Sequence, residues 1–173
     1  MGPTLHNPNT LTADGPEIGD IAHTVAYDRA GRGRSASAAE PQNNDDMAAT
    51  LVALVQALTP GRVILVGHSM GGLIVRRAAE TLSPAGLVLL DPTPEAIDEF
   101  RRRPPEPPKS GVIVISAIHA ARYQARNLDL MREYQHRYAE QVGGQYEDAA
   151  SEHIIPAERP EQVAAAVRRL VNA

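Results

Sequence analysis

Residues 62–80, RVILVGHSMGGLIVRRAAE, leave the chain few folds to choose from. Val63, Ile64, Leu65 and Val66 form an unbroken apolar run, the pattern of a strand covered on both faces in a parallel sheet. Leu73, Ile74, Ala78 and Leu82 then recur at helical spacing. Between strand and helix lies Gly67-His68-Ser69-Met70-Gly71, a G-x-S-x-G. In that setting Ser69 is expected at the tip of a sharp, strained turn, with glycines where a side chain would strike the strand or the helix. Such a turn lifts a hydroxyl clear of the sheet. It also points the backbone N–H of Met70 toward any negative charge developing on a bound carbonyl.

The rest of the chain repeats this alternation. Residues 24–28 read as a short strand closed by a turn over 29–35. Asp45 or Asp46 opens a helix with apolar positions Met47, Leu51, Leu54, Val55 and Leu58, ended by Pro60-Gly61. Residues 87–90 and 112–115 are further apolar strands, separated by the proline-rich stretch 101–110. Leu130, Met131, Tyr134 and Tyr138 mark a helix, 145–147 a short edge strand, and Pro160 the start of a closing helix with Val163, Val167, Leu170 and Val171 inward. Strands alternating with helices need crossovers, so the expected fold class is α/β, a mostly parallel sheet with flanking helices in one domain over residues 1–173.

Composition narrows the function. The chain has 43% hydrophobic and 22% charged residues, as in an ordinary globular domain rather than a disordered one. A net charge of -4 supplies no broad basic field, so no nucleic-acid partner is expected. The absence of cysteine removes disulfides, thiolate metal sites and cysteine nucleophiles. No apolar run reaches the ~20 residues that span a bilayer, and no membrane role is expected. MGPTLHNPNTLTADG has neither the basic nor the apolar region of a secretory signal, which points to a cytoplasmic location.

Three segments together resemble the α/β-hydrolase superfamily: YDRAGRGRS at 27–35, GHSMGG at 67–72 and SEHIIPAERPEQVAAAVRRL at 151–170. They stand in the family's order, and the resemblance that they carry spans most of the chain. The resemblance implies a serine hydrolase of carboxylic esters or thioesters that needs no cofactor or metal. Ser69 would be the nucleophile. A serine hydroxyl needs a base, and of six histidines (His6, His23, His68, His119, His136, His153) it is His153, before the last helix, that occupies the family's place for it. His68, inside the elbow, is expected to point away from the reaction, and His136 to lie on a solvated helix face.

The third member departs from the common pattern. That pattern puts an Asp after the penultimate strand, where this chain reads Ser116-Ala117-Ile118-His119. Asp91 closes the preceding strand instead, a position some family members use, and it keeps the order Ser…Asp…His. Glu95, Asp129, Glu147 and Asp148 are the other candidates. The oxyanion donors implied are the N–H of Met70 and a backbone N–H near Thr4 or Leu5.

Against the family pattern the first three strands have no counterpart, and the cap domain shrinks to residues 92–110, so the fold is expected to be a truncated version. The strands at 24–28 and 62–66 must then pair directly, or leave an exposed edge open to homo-oligomer formation. The rival reading is a catalytically silent hydrolase-fold protein with a binding or association role.

Overall fold

The computed structural model describes residues 22–58, 61–94, 111–119 and 127–173. In chain order these form α1 (Asn44–Leu58), β1 (Ile64–His68), α2 (Met70–Leu82), β2 (Gly86–Leu90), β3 (Gly111–Ala117), α3 (Leu128–Gln141), β4 (Gln145–Ala149), α4 (Ile155–Glu158) and α5 (Pro160–Val171). The four strands make one parallel sheet in the order β1-β2-β3-β4. The fold class is therefore the expected one.

Alternation along each strand divides the core in two. Leu65, Leu87, Leu89, Val112 and Val114 face α1, α2 and α3, packing with Leu51, Ile74, Ala78 and Ala139. Val88, Leu90, Ile113 and Ile115 face the opposite side, against Ile155 and the α5 stripe Val163, Val167 and Leu170. All five residues of β2 are buried, which is why that strand has no polar position in its sequence. α1 begins with reciprocal bonds: Asp46 N–H donates to Asn43 Oδ1 and Asn43 N–H to Asp46 Oδ2, each 3.0 Å. These satisfy two amides that a helix start leaves open.

Two expectations change. Residues 24–28 are not a strand. A strand holds only by pairing with a neighbour, and among the described residues nothing pairs with β1 on the side away from β2. Asp28 organises a turn instead. Its Oδ2 accepts Arg34 N–H at 3.0 Å, and its carbonyl accepts the Ser35 hydroxyl at 2.7 Å. Tyr27 packs on the α1–α2 side of the core. The edge strand at 145–147 is present and longer, as β4.

The face of α3 also differs. Leu130 is 51% exposed, and the helix buries Gln135 and Ala139, flanked by Met131 and Tyr138.

The joint between β1 and α2 is tightly packed. A Cβ on Gly67 would lie 2.5 Å from the Gly71 carbonyl oxygen and 2.7 Å from Val75 Cγ2. Neither the helix backbone nor a β-branched side chain can give way cheaply. Gly67→Ala is expected to destabilise the fold by at least about 1–3 kcal/mol. The denaturant midpoint reads this, and an unchanged midpoint would contradict the packing described.

Candidate active site

β1 ends at His68, and the chain turns sharply into α2. Ser69 sits at φ 54°, ψ −125°, a strained conformation for a residue with a side chain. Its backbone is held on both sides. The N–H donates to Leu90 O at 3.0 Å, and the carbonyl accepts N–H groups from Gly72 at 2.9 Å and Thr93 at 3.2 Å. Met70 is the first residue of α2, where a backbone N–H has no partner within the helix. A cavity of about 420 Å³ opens beside the elbow, lined by Met70, Met47, Arg29 and Arg32 among others.

β2 ends at Leu90, and Asp91 leaves the sheet at φ 41°. Its N–H still donates to Ile115 O at 2.7 Å, so the acid is anchored to β3 at the point where it departs. His153 lies in the loop between β4 and α4. Its Nδ1 donates to Asp91 Oδ2 at 2.6 Å, and both side chains are nearly buried, 13% and 5% exposed. Because Nδ1 carries the proton that it donates to the carboxylate, Nε2 is the nitrogen left with a lone pair in the neutral ring.

The other carboxylates do not compete. Glu147 pairs with Arg169 on α5, and Asp148 with Arg132 at 2.6 Å. Asp129 is exposed in the first turn of α3. Glu95, Thr4 and Leu5 lie outside the described residues. Ser69 Oγ makes no hydrogen bond with His153 among the described residues. His153 is joined to Asp91, and Ser69 stands one contact short of His153. No group of three or more His, Asp or Glu among those residues could hold a metal ion.

Two contributors escaped the sequence reading. The first is His68. It donates from Nε2 to the carbonyl oxygen of His153 at 2.6 Å, and the two rings stand 4.6 Å apart. A carbonyl only accepts, so this bond fixes the His68 tautomer. The second is Gln135 of α3, 2% exposed, which donates from Nε2 to Asp91 Oδ1 at 2.9 Å. Its one sequence signal was a polar residue four positions from both Met131 and Ala139, on the inward face of the helix.

Burial holds the His68 imidazole below the ordinary histidine range. Its bond to His153 O and the Asp91 charge act the other way, and the His153 ring acts with burial. Between that lowered midpoint and the usual value of ~6.5, the unfolded chain binds more protons than the folded one at this position. Stability therefore rises with pH across the window and falls on acidification. His68→Gln keeps a donor for His153 O and removes the titration. Melting curves are expected to show wild type losing more stability than His68→Gln between about pH 7 and about pH 5. Parallel losses would contradict this.

A parallel sheet with a serine elbow, and a His–Asp pair at the same carboxyl edge, defines the hydrolase class of α/β protein. A sequence model of the alpha/beta hydrolase family matches residues 10–170, and the chain belongs to that family. It is 40% identical over 65 residues to a non-heme chloroperoxidase of Burkholderia pyrrocinia, a match covering 37% of this chain and 23% of that protein. Among solved structures, the enol-lactonase of Burkholderia xenovorans superposes with a TM-score of 0.66 at 16% identity, over 83% of this chain and 78% of that one. A thermophilic esterase from Thermogutta terrifontis gives 0.63 at 18%, over 83% and 77%. These likenesses show the fold. No helix among the described residues is long and apolar enough to cross a membrane.

Proposed function

We propose that the chain is a serine hydrolase of small carboxylic esters or thioesters, acting in the cytoplasm through Ser69, His153 and Asp91. The observation that carries this reading is the 2.6 Å bond from His153 Nδ1 to Asp91 Oδ2, at the sheet edge that bears the serine elbow.

The chemistry follows from those positions. His153 Nε2 takes the Ser69 hydroxyl proton as Oγ attacks the carbonyl carbon, and Asp91 stabilises the imidazolium that forms. The negative charge on the carbonyl oxygen faces the N–H of Met70, with a second donor from the chain near Thr4 or Leu5. Collapse expels the alcohol or thiol, which takes the proton from His153, and leaves an acyl group on Ser69. Water then attacks with His153 again as base, releasing the acid and restoring the serine. The cavity beside Met70 gives the substrate room next to the elbow.

Labelling with a fluorophosphonate, read by intact mass, tests this directly. One adduct is expected on wild type and none on Ser69→Ala. Asp91→Ala is expected to lower ester turnover on the order of 10³- to 10⁴-fold while leaving the serine in place. A folded wild type that takes no adduct would overturn the reading and favour a silent hydrolase-fold protein.

A further inference from the structure

Asp91 presents a problem that the triad alone does not solve. The residue is 3% exposed, and a buried carboxylate with one donor has its other oxygen unpaired in a poor solvent. Its backbone is strained and its side chain must still aim Oδ2 at an imidazole 62 residues away. Ser116, near the end of β3, lies across the β2–β3 ladder from Asp91, whose N–H bonds the carbonyl of the residue before it.

Gln135 fills the space between them. Its Nε2 donates to Asp91 Oδ1 at 2.9 Å and to Pro92 O at 3.0 Å, and its Oε1 accepts the Ser116 hydroxyl in a short bond. The amide has one possible orientation. A carbonyl and a carboxylate oxygen can only accept, so the nitrogen must face them and the oxygen must face Ser116. Two strand ends therefore fix the side chain, and its N–H fixes the acid.

The geometry points to Gln135, locked by Ser116 and the Pro92 carbonyl, as the positioning residue that holds Asp91 in the rotamer from which it reaches His153. This rests on the triad proposed above, but the contacts themselves do not. Other charged or titratable groups nearby are His68, from β1, and beyond Ser116 the trio Tyr146, Arg132 and Asp148 on β4 and α3. On this account Gln135 touches neither substrate nor serine and acts through Asp91.

The test uses Gln135→Met, which keeps the bulk and removes every hydrogen bond. The labelling rate and kcat are expected to fall about 10–100-fold with KM little changed, as for a misaimed catalytic group. In an Asp91→Ala background the same substitution should add less than about 2-fold, because the residue it positions is gone. The imidazole proton of the His153–Asp91 bond, read far downfield by NMR, should broaden or shift in Gln135→Met.

Additive losses, or an unchanged proton signal with unchanged rates, would overturn the assignment. If wild type takes no adduct, the hydrolase reading fails, and the NMR signal alone still decides the role of Gln135. Should Gln135→Met not fold, Ser116→Ala releases the lock with one hydroxyl removed. It is expected to perturb the same proton and lower the rate in the same direction, and no change in either would refute the lock.

Discussion

Two backbone hydrogen bonds set the site. Ser69 N–H to Leu90 O and Asp91 N–H to Ile115 O each carry the ladder one step past a strand end, and each comes from a residue in the left-handed region. A residue with a side chain held there is strained by about 1–3 kcal/mol. The parallel ladder, centred on the fully buried β2, is rigid enough to impose it twice on adjacent strands. The result is a serine and an acid that leave neighbouring strands at the same edge. Thr93 N–H to Ser69 O at 3.2 Å closes the arrangement by tying the loop after the acid to the elbow.

Burial then sets what each polar group needs. Asp91 is buried, yet both its oxygens meet donors, one from His153 and one from Gln135. Those bonds offset the cost of taking the group out of water. His68 shows the opposite outcome beside it. Its burial outweighs its bond to His153, so a second imidazole can stand 4.6 Å from the His153 ring without bringing a competing positive charge. The neutral ring still contributes a donor, and that donor holds the histidine loop by its backbone and not by the His153 side chain.

The division between what the sequence disclosed and what it hid follows from the range of the interactions. Ser69 was legible because strand, glycines and helix are contiguous, and contiguous residues report their own geometry. The apolar runs at 63–66, 87–90 and 112–115 disclosed a parallel sheet for the same reason. Asp91 and His153 were legible as strand-end and loop positions once the family resemblance gave their order. The strand expected at 24–28 failed because pairing belongs to the partner as much as to the segment. Gln135 was hidden because its meaning lies 44 residues away, at Asp91. The periodicity of α3 also misled: Leu130 is the more apolar residue, but the buried polar side chain, not the apolar one, marks the inward face.

Placing the acid after β2 has a consequence for the histidine. The imidazole must reach inward from the end of β4, past β3, to the edge of β2, and a loop that long is useful only if it is stiff. The structure stiffens it at several points. His119 N–H donates to Ser151 O at 3.1 Å, Arg159 donates to Ala150 O, Glu158 accepts Glu152 N–H at 3.0 Å, and His68 holds His153 O. Those anchors come from β1, the end of β3 and the start of the closing helices, so the loop is braced from three directions. His153, held by its own backbone, and Asp91, bonded by Gln135, meet at 2.6 Å through contacts that the fold alone supplies. Side chains fixed in this way are preorganised, which is what the hydrolase reading proposed above requires of them. Ser69, strained and half-buried at the elbow, is the residue of the three that has no bond to His153.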